Sequence, residues 1–124
     1  MRKTSILFLT GFAVASLAAA APEAVLVTYR PQSGNVEKLL RVLAKHSATL
    51  ARLNLLAAEP HLTFRASDNA GKPILIDLLT WKDDSIPDHA PAEVTAIWSE
   101  MQSLVEKRDG RPGIDILNVE AVKP

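Results

Sequence analysis

The sequence predicts an α+β sandwich, one four-stranded antiparallel sheet with two helices on one face, preceded by an export signal. Three observations carry this: an apolar, alanine-ended leader; the order strand, helix, strand, strand, helix, strand over the remaining residues; and two helical stripes that each present a single apolar face. That element order in about 100 residues is the split-βαβ, ferredoxin-like arrangement.

The leader comes first. Arg2 and Lys3 precede an uncharged run, Thr4–Ala21, with an apolar stretch around Ile6–Leu17 and the small residues Ala18, Ala19, Ala20 and Ala21 at its end. This is the three-part layout of a secretory signal peptide, and Ala18 and Ala20 satisfy an A-x-A rule for cleavage after Ala20. The expected division is therefore a signal over 1–20 and one domain over 21–124, in the periplasm or outside the cell, with no membrane attachment once the signal is removed. An uncleaved anchor is the other reading, since the run approaches the length of a span. With no cysteine, disulfides, thiolate catalysis, lipidation at cysteine and cysteine-based metal sites are all excluded. Removing Arg2 and Lys3 from 14 basic residues leaves 12 against 14 acidic ones. No cluster reaches the basic density that a nucleic-acid partner requires.

Strand 1, Ala24–Arg30, is apolar or β-branched on both faces, so both faces need cover. Pro31–Asn35 is a turn whose last residue can cap the next helix. Helix 1 is expected from Val36 to Leu56, with Val36, Leu39, Leu40, Leu43, Ser47, Leu50 and Ala51 on one face and Glu37, Lys38, Arg41, Lys45 and Arg52 on the solvated one. Glu59-Pro60 closes that region, and strand 2 follows over His61–Ala66. Ser67–Lys72 is a polar hairpin connection leading to strand 3, Pro73–Trp81, whose apolar run is expected to be buried on both sides. Asp77 interrupts that run. A buried carboxyl group needs a partner, and a register that sets Arg65 opposite Asp77 would supply one.

Lys82–Ala90 reads as a loop. Pro91 suits the first turn of helix 2, in which Val94, Ile97, Trp98, Met101, Leu104 and Val105 follow helical spacing. Asp109–Gly113 stops it, and strand 4 is expected over Ile114–Val122. Strands 1 and 3 are greasy on both faces while both helices serve one face. The other face then needs a second subunit, which predicts a homodimer joined sheet to sheet.

Over Ala24–Val122 the chain resembles the antibiotic biosynthesis monooxygenase-like domains of the dimeric α+β barrel superfamily. The resemblance is carried by the element order, the long first helix ending near Glu59-Pro60, the third strand closing on Leu79-Thr80-Trp81-Lys82-Asp83, and the helix after it. It implies an oxygenase needing no cofactor or, in one branch, a haem-degrading enzyme, with its pocket between sheet and helices. Trp81 matches the family's strand-3 tryptophan, and His89 matches its helix histidine in a looser position. The first-strand asparagine of the haem-degrading branch is absent, the polar positions there being Thr28, Tyr29 and Arg30.

The candidate catalytic residues are accordingly Trp81 and His89, the latter a loop histidine that could titrate near neutral pH at a pocket mouth. Tyr29, Phe64 and Trp98, the other aromatics outside the leader, and Met101 on the second helix are the candidate lining for a small aromatic or apolar ligand. Tyr29, Trp81 and His89 are expected to converge on one cavity. His46, beside Ser47, reads as a boundary residue. The spacing of His46, His61 and His89 fits no common metal motif, so no metal is expected, and the resemblance implies that no cofactor is needed. Two functions stay open: a cofactor-independent, monooxygenase-like protein acting on or binding a small aromatic or apolar molecule, and a non-catalytic dimeric ligand-binding or structural module of the same fold.

Overall fold

The computed structural model describes residues 21–124, so the signal-peptide reading of 1–20 lies outside the described residues. Alternating β-formers build β1 (Glu23–Tyr29), β2 (Leu62–Ser67), β3 (Pro73–Trp81) and β6 (Ile114–Val119), which pair in the order β2-β3-β1-β6. Every neighbouring pair is antiparallel. The helices are α1 (Val36–Arg52) and α2 (Ala92–Leu104). A short 3₁₀ turn covers Ile86–His89, and β4 (Lys107–Arg108) and β5 (Arg111–Pro112) form a two-residue hairpin between α2 and β6.

The period of two sorts the sheet residues. Val25, Val27 and Tyr29 on β1 and Leu75, Asp77, Leu79 and Trp81 on β3 point to one face and are buried. The helices lie on that face. On α1, Leu39, Val42, Leu43, His46, Thr49 and Leu50 are buried, a steady three-four repeat that turns the packed face slightly away from the expected stripe: Ala51 is exposed, and His46 is core and no boundary residue. Val94, Ile97, Met101 and Leu104 of α2 complete the core. Two exposed ion pairs, Lys45 with Glu100 at 2.7 Å and Arg52 with Glu93, tie the helices together.

Helix α1 stops at Arg52, short of the expected Leu56. Asn54 takes a left-handed conformation (φ 59°) and turns the chain, after which Leu56 bridges Trp81 and Ala57 N–H donates to the Thr80 carbonyl at 2.9 Å. The apolar residues Leu53, Leu55 and Leu56 still pack on the core, but as a strap along the end of β3. Asn35 makes no side-chain cap; its Nδ2 donates to Gln32 Oε1 at 3.0 Å. The last strand ends at Val119, three residues before the expected Val122. Asp109 and Gly110, expected only to break the helix, form the turn of the β4–β5 hairpin with φ of 53° and 76°, the two positive values that such tight turns require.

The register of β2 on β3 sets Thr63 opposite Asp77 and Arg65 opposite Leu75. The expected Arg65–Asp77 pair does not form; Arg65 reaches Glu37 on α1 at 3.2 Å. The hairpin loop, closed by the Asp68 carboxylate accepting the N–H groups of Ala70 and Lys72, shifts the pairing by two residues and keeps the parity of faces.

Candidate functional site

A cavity of about 280 Å³ opens between α2 and the β6 side of the sheet. It exists because β6 is an edge strand that the two helices do not reach: Ile116 points to the helix side yet is 64% exposed. Tyr29, Trp81, Trp98 and Met101 line it, together with His46 and Ile114. Trp81 is placed by β3 pairing, between Glu23 of β1 and the Leu56 strap. Its ring meets that of Trp98 edge to face, with centroids 6.3 Å apart and planes at 81°.

Trp98 is fixed from the other side by His46, since its Nε1–H donates to His46 Nε2 at 2.9 Å. The Nδ1 atom of His46 is buried and has no hydrogen-bond partner. Burial pushes the His46 imidazole down to about 4, against the opposing pull of the Asp77 carboxyl group. The Tyr29 hydroxyl is pushed well above the usual phenol range, first by burial and then by Asp77. Both groups therefore stay neutral at neutral pH.

Asp77 shares this sheet face, opposite Val27 in the β1–β3 register, and is fully buried. It accepts a hydrogen bond from Thr63 Oγ1 at 2.6 Å and meets His61 Nε2 at 3.2 Å, with the His61 ring almost entirely enclosed. These partners answer the requirement that the sequence raised for Asp77.

Of the residues singled out in the sequence, the structure brings Tyr29, Trp81, Trp98 and Met101 together. It does not bring His89, which is exposed at the end of the 3₁₀ turn and does not line this cavity, so the convergence of Tyr29, Trp81 and His89 is corrected to Tyr29 and Trp81 alone. Phe64 is also elsewhere, on the sheet face opposite the helices and 48% exposed. His46 enters in their place. Its signal was present in the sequence, three residues beyond Leu43 and four before Leu50, on the buried stripe.

No sequence-family model matches this chain, and no curated protein matches it in sequence. Solved structures do resemble it. SnoaB, a cofactor-independent oxygenase from Streptomyces nogalater, superposes with a TM-score of 0.62 at 13% identity, over 85% of this chain and 97% of that one. An antibiotic biosynthesis monooxygenase gives 0.61 at 13% identity, over 82% and 99%. A dimeric ferredoxin-like protein of unknown function from Jannaschia sp. CCS1 gives 0.59 at 14% identity, over 82% and 100%. The chain thus has the ferredoxin-like α+β fold of the antibiotic biosynthesis monooxygenase-like proteins. At these identities the likeness is one of fold.

Proposed function

We propose that this protein is an exported homodimer that takes a small aromatic or apolar molecule into the cavity at Trp81 and Trp98 and oxygenates it without a cofactor. The observation that carries the reading is the lining itself: two indoles held at right angles, a phenol and a thioether around a largely apolar space that opens at one edge of the sheet, with Glu23, Gln102 and Asn118 as its polar members. The monooxygenase-like neighbours supply the reaction class by analogy. Such a reaction draws its electrons from the substrate. A quinol and O₂ give a hydroxyquinone and one water, with no further reductant needed.

The protein's own contribution would be confinement. Apolar walls exclude water, and the indole faces orient a flat ring against them. Export rests on the leader, and assembly on the uncovered apolar sheet face together with the dimeric ferredoxin-like neighbour.

One observation favours the second reading, a binding module without chemistry: the histidine and the tyrosine of the cavity, His46 and Tyr29, are both held neutral, and its one carboxylate, Glu23, belongs to β1 at the rim, where it accepts from Asn118 Nδ2 at 3.5 Å. Oxygen uptake with electron-rich phenols and quinols, followed by mass analysis of the product, tests the first reading. Incorporation of one oxygen atom per turnover, abolished by Trp81→Ala, is the expected result. Tight binding of the same compounds without oxygen uptake would establish the module.

A further inference from the structure

The cavity at Trp81 and Trp98 does not end at Ile114. A second hollow, of about 530 Å³ and rich in charged residues, adjoins it, and the two share Gln102, Ile114 and Ile116. The shared residues come from both walls, Gln102 from α2 and the isoleucines from β6, so the hollows are successive stretches of one cleft between helix and edge strand. The β1–β6 register gives its direction, with Val25 opposite Asn118, Val27 opposite Ile116 and Tyr29 opposite Ile114. Asn118 and Ile114 are thus about 13 Å apart along the strand.

The two ends carry opposite charge. Glu23 stands at the Asn118 end, with its carboxylate accepting from Asn118 Nδ2 at 3.5 Å. Beyond Ile114 the lining includes Arg108 and Arg111 of the β4–β5 hairpin, and its other charged groups are Arg30, Asp109 and Asp115. Arg30 and Asp115 pair with each other at 3.1 Å. Arg108 and Arg111 are directly opposite in the hairpin register, so both side chains leave its same face, where like charges repel. Among the described residues neither arginine has a carboxylate partner, and Asp109, in the turn between them, is one negative charge against two positive ones. Two exposed guanidinium groups on one face, at the mouth of an aromatic cavity, suit a planar oxyanion.

We propose that the cleft takes an aromatic carboxylate, its ring against Trp81 and Trp98 and its charged group received by Arg108 and Arg111. Trp98 and Gln102 lie four residues apart on one side of α2, about 6 Å along its axis, so a ring at Trp98 carries its substituent into the stretch that both hollows share. The Glu23 carboxylate repels the reverse orientation. The inference rests on the reading that the cavity binds small aromatic molecules, and it narrows that class to anionic ones.

The test uses 2-naphthoate and 2-naphthamide, which share an outline and differ in charge. Their affinities for the purified protein at pH 7 are measured by calorimetry in wild type, Arg108→Gln, Arg111→Gln and Lys107→Gln. Each variant removes one charge from the same hairpin at an exposed position, where folding is little affected. Lys107 is the control: it faces Pro112, its side chain leaves the other side of the hairpin, and it lines neither hollow. Wild type is expected to prefer naphthoate roughly ten-fold. Either arginine variant should lower that preference roughly three-fold with naphthamide affinity unchanged, whereas Lys107→Gln should keep it. An equal fall in all three variants would reduce the effect to the general charge of the hairpin and overturn the proposal.

Trp81→Ala is expected to weaken both compounds together. Naphthoate binding that survives this change would make the arginines a separate ion site and break the link to the cavity. If wild type binds neither compound, the aromatic-ligand reading fails and takes this one with it. Equal affinity for both compounds, untouched by the arginine variants, sinks the carboxylate site alone.

Discussion

His46 couples the cavity to stability through its protonation. In the folded protein burial holds its pKa at about 4, while in the unfolded chain it returns to its ordinary value of 6.5. Between those values the unfolded state binds more protons than the folded one, so this contribution is complete above about pH 6.5 and is lost as the pH falls toward 4. A shift of that size corresponds to about 3 kcal/mol. Urea unfolding at pH 7 and pH 4 should therefore show wild type losing about 3 kcal/mol more than His46→Gln across that interval. Equal losses would mean that His46 is protonated in the folded core. Asp77 gives the second test at this scale. Asp77→Ala removes the acceptor of Thr63 and the partner of His61 inside a closed core, and unfolding should register a cost of about 3 kcal/mol. Asp77→Asn, which keeps one oxygen for Thr63, should cost less.

At the scale of elements, the joint between α2 and β6 is set by a small residue. The Arg30 N–H donates to Gly113 O, the Gly113 N–H to Glu106 O, and the Glu106 N–H to Arg30 O, at 2.9, 2.7 and 2.8 Å. This cycle docks the start of β6 against the end of β1. A Cβ on Gly113 would lie 2.8 Å from the Glu106 carbonyl oxygen, a backbone atom that cannot turn aside. Gly113→Ala should thus cost about 2 kcal/mol in unfolding measurements and loosen β6, the strand that borders the cavity, with amide exchange rising at Ile114 and Ile116. The sequence showed Gly113 only as a helix stop, because nothing in a linear pattern reveals that two backbones will meet there. Elements whose evidence is periodic were legible: α2 from its stripe, β3 from its apolar run, the element order from both. Features that depend on register were not. Thr63 and Arg65 share a face, so parity could not choose between them as the neighbour of Asp77, and the five-residue loop at Asp68–Lys72 decided it. The cavity was half legible. Tyr29 and Trp81 end neighbouring strands on the same face, whereas Phe64 falls on the opposite face by one step of parity and His89 is carried away by a 3₁₀ turn.

For the whole molecule the decisive feature is the sheet face that the helices leave open. Leu26, Ile76 and Leu78 occupy its centre, with Leu62, Phe64 and Leu117 on the flanking strands at 43%, 48% and 60% exposure. Nothing among the described residues covers them, and a contiguous apolar surface of this kind in a small domain marks an interface. A second copy fits because a two-fold axis brings the same residues onto themselves, and because the charged pair Arg30–Asp115, at one end of this face, would lie at the rim. Phe64 then acquires a role that its place outside the cavity denies it there: it is the largest side chain at the proposed interface. Phe64→Glu would place one buried charge on each subunit's side of the interface while leaving the core and the cavity untouched. Sedimentation should show wild type at twice the subunit mass at micromolar concentration and Phe64→Glu at the subunit mass, a weakening of at least about a hundred-fold given the cost of burying unpaired charge. Because the cavity lies on the other side of the sheet, the monomeric variant should still bind the phenols and quinols of the oxygen-uptake test with nearly wild-type affinity. A wild-type monomer would leave the apolar face unexplained by self-association, and loss of phenol or quinol binding on dissociation would mean that the two faces are coupled through β1 and β3.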